Sequence, residues 1–242
     1  MFITGTAIRK MAVLLFSGLL IIAILAWNIS KARSFQLFGE IISRVDTEEK
    51  VAALTFDDGP SAECTEEVLK ILEECQIKAT FFLTGNEIEK NMQQARMIAQ
   101  KGHEIGNHSF SHQRMILRSW EFISYEIERT DEAIKAAGFK GPIYFRPPFG
   151  KKLLMLPWYL ADQKRTTVMW DVEPETFSGE PESAEIITAR TVSAVRPGSI
   201  ILLHPMYKSR EQTRKSLKPV IENLKSQGYR LTTVSDLIRL KK

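Results

Sequence analysis

The apolar positions of this chain fall into two regimes. From Met11 to Trp27 they run without a charge, "MAVLLFSGLLIIAILAW"; beyond residue 37 they come as short β-rich runs between amphipathic stretches. The short runs predict strands at "VAALTF" from Val51, then at 78–84, 103–107, 143–146, 166–172, 199–204 and 229–234. "EIISRV" and "KVAALTF" flank "DTEE", which predicts a hairpin leading into the first core strand. Helical periodicity occupies 65–75, 86–101, 119–137, 182–195 and 210–227, and more weakly 151–162. Glycine stands where helices should stop, in "KGHE", "AAGFKG", "VRPGS" and "SQGY". About seven strands interleaved with helices predict an α/β fold of parallel βα units, open or closed into a barrel. In either form the site belongs at the carboxyl ends of the strands.

Polar punctuation gathers at those ends. "FDD" follows the first strand, "NHSFSH" the third, "RPPFG" the fourth, while "WDVEPE" ends the fifth and "LLHP" the sixth. A random scatter of polar residues does not select one end of five strands, so the pattern points to an enzyme.

The uncharged run at 11–27 is about as long as the shortest membrane spans and ends in an interfacial Trp. "NISKARS" follows it without a small-x-small cleavage site, which favours an uncleaved signal anchor over a cleaved signal peptide. The expected organisation is therefore a short basic tail over 1–10, a transmembrane anchor over 11–27, a tether over 28–37 and a catalytic domain over 38–242. The protein is expected to be single-pass, with the membrane engaged through this helix. Arg9 and Lys10 on one flank match Lys31 and Arg33 on the other, so charge does not orient the span.

Composition narrows the partners. The net charge of +4 is carried by those four residues, and the remainder is neutral. The basic balance therefore marks the helix flanks, and nucleic acid is not an expected partner. Cys64 and Cys75 bracket a predicted helix, which separates them by roughly 16 Å, too far for a disulfide.

The candidate chemistry starts from Asp57 and Asp58. Adjacent carboxylates repel, and burying either one unpaired is costly. "DDGP" alone is also read as a turn with a capping Asp. His108 and His112, four apart, face one side if "HSFSH" makes a helical turn. Two imidazoles with one carboxylate form a Zn²⁺ site that leaves a position for water. One aspartate then serves as the third ligand, and the other takes a proton from water acidified by the cation. Arg146 suits the role of holding the free aspartate ionised, with an ordinary strand-end salt bridge as the lesser alternative. Gly150 permits a close approach after Pro147 and Pro148, so the Phe149 N–H is an oxyanion candidate. His204 is a candidate general acid or a hydrogen-bonded strand-end histidine, and His103 reads as structural. Trp158, Trp170, Phe110, Phe149 and Tyr207 are candidates for an apolar cleft that stacks on a sugar, and Met206 reads as packing.

The ordered set "TFDDGP", "GNHSFSH", "RPPFG", "WDVEP" and "ILLHP" resembles the polysaccharide deacetylases, the fourth carbohydrate-esterase family with its NodB-homology domain. The resemblance spans about residues 45–240. It implies a distorted, often seven-stranded (β/α) barrel and removal of acetyl groups from N-acetylated glycans, peptidoglycan- or chitin-like. It further implies Asp57 as base, with Asp58, His108 and His112 holding a divalent metal, Zn²⁺ or else Co²⁺ or another divalent ion. Arg146 would orient Asp57, the Phe149 amide would face the oxyanion, and His204 would be the acid. Pro147, Pro148, Trp170 and Tyr207 are the expected substrate contacts. A cell-wall substrate places the catalytic domain outside the cytoplasm.

One motif departs from the family pattern. Where the family commonly reads Asp-Val-Asp-x-x-Asp-Trp, this chain reads "DVEPETF", with Thr176 and Phe177 in the Asp-Trp places. Thr176 cannot supply the charge that tunes the acid histidine, and Asp171, Glu173 and Glu175 are the alternatives. Two other readings stand beside deacetylation of a glycan polymer. One is a non-catalytic glycan-binding protein, and the other is a deacetylase of a glycolipid or other non-polymeric substrate.

Overall fold

The computed structural model describes residues 5–175 and 182–241. Its central strand, β2 (Val51–Asp57), is buried along its whole length. That burial follows from its place in the barrel, with helices covering one face and the packed interior the other. It pairs with β3 (Thr80–Leu83), with β6 (Ile200–Leu203) and, over Val51–Ala53, with β7 (Arg230–Thr232). β4 (Glu104–Asn107) continues beyond β3. A second, two-stranded parallel sheet joins β1 (Ile41–Ile42) to β5 (Thr167–Val168). Single parallel bridges from Asn107 to Phe145, Phe145 to Thr167 and Val172 to Ile201 link the two sheets into a ring. The result is the distorted parallel barrel that the alternation of strands and helices predicts.

Period-two alternation assigns the faces. Ala53, Phe82, Ile200 and Leu202 pack in one cluster with Val168 and Met169, inside the ring. Leu54, Phe56, Phe81, Leu83 and Ile201 face the opposite way, against Leu72, Val220, Ile221 and other residues of the surrounding helices. Those helices are α2 (Thr65–Glu74), α3 (Gly85–Lys90), α4 (Met92–Gln100), α5 (Trp120–Ala136), α6 (Met155–Asp162), α7 (Ala184–Ala194) and α8 (Glu211–Ser226). Side-chain caps open two of them, with Ser119 accepting from Phe122 N–H and Ser183 from Ile186 N–H. Thr233 does the same for the short α9 (Val234–Ile238), which periodicity alone did not reveal.

Four expectations are corrected. Ile41–Ile42 pairs in parallel with Thr167–Val168, so "EIISRV" and "KVAALTF" form no hairpin. The 143–146 run contributes only the bridges at Phe145. The 86–101 helix breaks at Asn91 (φ −127°, ψ 47°), whose Nδ2 donates to Pro60 O. The N-terminal helix, α1 (Gly5–Lys31), runs through the first four residues of the expected tether, and the chain after it is bonded to the barrel at Ala32 and Arg33. Within α1, Val13–Lys31 is long and apolar enough to cross a membrane, and most of its large apolar side chains are exposed. Cys64 and Cys75 are buried free thiols, as expected.

Candidate active site

The carboxyl ends of β2, β4 and β6 converge on a cleft of about 640 Å³ lined by Asp57, Asp58, His108, His112, His204, Phe149 and Trp170. A larger groove of about 800 Å³ between α7 and α8 contains no histidine or aspartate.

Asp57 is the last residue of β2 and points inward by the strand alternation. Its Oδ1 accepts from Arg146 Nη1 at 2.6 Å, and its Oδ2 lies 3.6 Å from His108 Nε2. Arg146 is completely buried, and each of its three nitrogens has a partner in the barrel wall. Nη1 also donates to Thr55 Oγ1, Nε to Val168 O and Nη2 to Met169 O. Its guanidinium lies 4.0 Å from the centroid of the Phe82 ring. Burial pushes the Asp57 carboxyl up, but the opposing charges of Arg146, His108 and His204 outweigh it and hold Asp57 below the usual carboxylate range.

Asp58 turns away from its neighbour because the chain there enters the left-handed region, φ 72°. A ligand atom from each of Asp58, His108 and His112 lies within 4.8 Å of the others. His108 Nδ1 is 2.8 Å from Arg146 O. A carbonyl can only accept, so Nδ1 carries the proton and the Nε2 lone pair faces the cluster. Burial holds this imidazole below its ordinary pKa, which favours the neutral, ligating form. A histidine fixed through its far nitrogen, a second imidazole and a carboxylate fit a divalent cation.

The two histidines do not share a helical turn. Ser109 and His112 both have positive φ, 65° and 56°, and the imidazoles meet with centroids 4.9 Å apart. Glu126 of α5 secures this loop. Its Oε2 accepts from Phe110 and Ser111 N–H, and its Oε1 from Ser111 Oγ. Sequence reasoning missed this residue, although a signal exists: Glu126 sits on the buried stripe of α5 with Ile123, Ile127 and Thr130. Glu126→Ala leaves two backbone donors unpaired and is expected to destabilise the protein by about 1–3 kcal/mol. A thermal unfolding midpoint equal to that of the parent would show that the loop is held otherwise.

The carboxylate beside His204 is Glu175. Its Oε2 lies 2.9 Å from His204 Nδ1 and accepts the His204 backbone N–H at 2.8 Å, while Thr213 donates to Oε1. Burial lowers the His204 pKa, but the Glu175 hydrogen bond and charge prevail and raise it. Asp171 is instead bound to Ser199 Oγ and Ile200 N–H, and Glu173 to Trp170 Nε1 and Arg33. Thr176 and Phe177 lie outside the described residues.

The expected sugar contacts divide. Phe149 (φ 57°) is exposed in the cleft with its ring 4.7 Å from that of His112, and Trp170 lines the wall. Pro147 and Pro148 are buried and absent from the cleft lining, and they lead into the short 3-10 turn that presents Phe149. Tyr207 also stands outside the lining, where its hydroxyl donates to Glu87. Trp158 packs against Trp120 and Phe38, and Phe110 against Tyr125. His103 is structural: its Nδ1 accepts from Ala79 N–H, and burial takes its pKa down to about 4.

Barrel and site together have the layout of the polysaccharide deacetylases. A family model for polysaccharide deacetylases matches residues 44–166. The Bacillus cereus peptidoglycan-N-acetylglucosamine deacetylase is 32% identical over 203 residues, 84% of this chain and 95% of its own length. YlxY, an uncharacterized protein of Bacillus subtilis, is 36% identical over 176 residues, 73% of this chain. The match covers 53% of YlxY, so this chain spans about half that relative's length. The crystal structure of a mutant of BA3943, a CE4 family pseudoenzyme with restored enzymatic activity, matches with a TM-score of 0.75 at 31% identity, over 83% of this chain and 72% of its own. The chain belongs to the polysaccharide deacetylase family.

Proposed function

We propose that this protein removes N-acetyl groups from the amino sugars of a peptidoglycan-type glycan, working outside the cytoplasm from an anchor formed by α1. The observation that carries this reading is the joint presence, in one cleft, of a three-donor cation site, a carboxylate held ionised and an imidazole backed by a carboxylate. The peptidoglycan deacetylase of Bacillus cereus among the relatives supports the substrate class.

Asp58, His108 and His112 would hold the divalent cation, and this donor set suits Zn²⁺, with Co²⁺ as the alternative. A cation bound there supplies Lewis-acid chemistry, polarising the acetyl carbonyl and making water more acidic. Asp57, oriented by Arg146, takes a proton from the attacking water as the oxygen bonds to the acetyl carbon. The Phe149 N–H serves as a donor to the resulting oxyanion. His204 gives a proton from Nε2 to the departing nitrogen, because Nδ1 is engaged by Glu175. The C–N bond breaks, and acetate and a free amine leave. Trp170 and Phe149 flank the sugar.

Acetate release from N-acetylglucosamine oligomers and from peptidoglycan tests this reading. Release that a chelator abolishes and added Zn²⁺ or Co²⁺ restores is expected, and chelator-resistant release would remove the cation from the scheme. Glu175→Gln supplies a second check. A general acid must be protonated, so His204 sets the alkaline limb of the rate profile, and Glu175 moves that limb to higher pH. Its replacement is expected to shift the limb to lower pH and to reduce kcat about tenfold at pH 8. An unmoved limb would assign the acid to another group.

A further inference from the structure

The end of α1 forms part of the cleft wall, where Lys31 and Arg33 line it beside Lys151 and Trp170. This segment is fastened in place. Lys152, almost fully buried, donates from Nζ to Ala32 O and from its backbone N–H to Ser30 O. Arg33 pairs with Glu173 and lies 4.7 Å from the centroid of the Trp170 ring. The Lys151 ammonium sits 4.1 Å from the centroid of the Trp27 ring, at the end of the apolar run. The cleft is thus fixed at the polar end of the helix that reads as a membrane span, where a Trp and flanking cations mark headgroup depth.

The charges around that mouth do not cancel. Arg33 is matched by Glu173, Asp57 by Arg146, and Asp58 belongs to the imidazole cluster. Lys31 and Lys151 remain, and Arg114 adds a third cation 5.2 Å from the centroid of the cleft-lining Phe149 ring. Among the described residues, no ion pair joins any of these three to a carboxylate. Burial, and then the charges of Lys31 and Arg114, press the Lys151 pKa down, and an anion bound among them would relieve that field. Neighbouring cations with no protein counter-ion are the chemistry of a phosphate site.

We infer that the cleft takes an N-acetylated sugar joined through a phosphate or diphosphate to a membrane lipid, with the anion held by Lys31, Lys151 and Arg114. This rests on the deacetylase reading and on α1 as the anchor, and it names the form in which the sugar arrives. A phosphate-linked lipid carries its anion at headgroup depth, where these cations stand, and its sugar just beyond, where the catalytic groups lie.

The test uses the full chain in phosphatidylcholine nanodiscs and measures acetate from four substrates. These are polyprenyl-diphosphate-linked N-acetylglucosamine, a neutral lipid glycoside of the same sugar, a soluble N-acetylglucosamine oligomer and a soluble oligomer containing carboxylate-bearing N-acetylmuramic acid. The expected kcat/KM on the diphosphate lipid exceeds that on the neutral lipid by about tenfold or more, the gain of one additional charge-assisted contact. This ratio should fall towards one in Lys31→Ala/Lys151→Ala and, in part, in the surface variant Arg114→Gln, and it should shrink with salt. Equal rates on the two lipids, a ratio that survives the substitutions, or fastest turnover on the carboxylate-bearing soluble oligomer would overturn the inference while leaving deacetylation intact. Acetate from none of the four would sink the deacetylase reading, and this inference with it.

Discussion

Asp57→Asn is expected to keep the bound cation and lose turnover by about 10²–10⁴-fold, whereas His108→Ala is expected to lose both. The two side chains lie within 3.6 Å of each other, yet the geometry separates their roles. Asp57 has one oxygen committed to Arg146, and an asparagine oxygen can accept that same hydrogen bond. What the substitution removes is the ability to take up a proton. His108 offers Nε2 to the cluster because Nδ1 is tied to a backbone carbonyl, and alanine deletes that donor altogether. Elemental analysis beside acetate release reads both quantities on the same sample. If Asp57→Asn emptied the site while Asp58→Asn left it filled and inactive, the two aspartates would have to exchange roles.

The site was more legible in the sequence than the way it is assembled. Asp57, Asp58, His108, His112, Arg146 and His204 stand at strand ends in sequence order, and parallel βα units bring such ends together whatever their loops do. The sheet itself was readable where strands are long and continuously apolar, as in "VAALTF" and "SIILLH". It failed where a strand is only two residues long, too short for its own pattern to name a partner. Ile41–Ile42 looks like half of a hairpin, but its partner is Thr167–Val168. The "HSFSH" spacing suggested a helical turn, yet the loop takes its shape from Asn107 Oδ1, which accepts from Ser109 N–H, and from Glu126. Nor could spacing distinguish Asp171, Glu173 and Glu175, which lie within five residues. That choice is made in space by Thr213 and the His204 backbone N–H, both directed at Glu175. The docking of the α1 terminus through Lys152 had no local sequence signal, since a lysine beside a lysine reads as surface.

Arg146→Met is expected to cost about 3–5 kcal/mol of folding stability and most of the activity, both through Asp57. Methionine roughly fills the space along Phe82 but leaves a carboxylate in the barrel without its counter-ion. The sign of the pH dependence follows from the native state. Asp57 is held below the ordinary carboxylate range, so its contribution is present above about pH 4, the unfolded value, and lost as pH falls through the folded one. Without Arg146, burial prevails and the carboxyl takes up a proton at higher pH. The stability deficit of the variant should therefore be largest near pH 8 and shrink towards pH 5, and the acid limb of any residual activity should move upward. Thermal unfolding of the full chain in detergent at both pH values reads the first effect. Arg146→Met/Asp57→Asn separates charge from packing, because asparagine removes the stranded charge while leaving the altered packing and the lost bonds to Thr55, Val168 and Met169 unchanged. Recovery of a large part of the lost stability in the double variant is the expected result. If the double variant is no more stable than Arg146→Met, the guanidinium acts by bracing the barrel wall, and the ionised state of Asp57 has some other source.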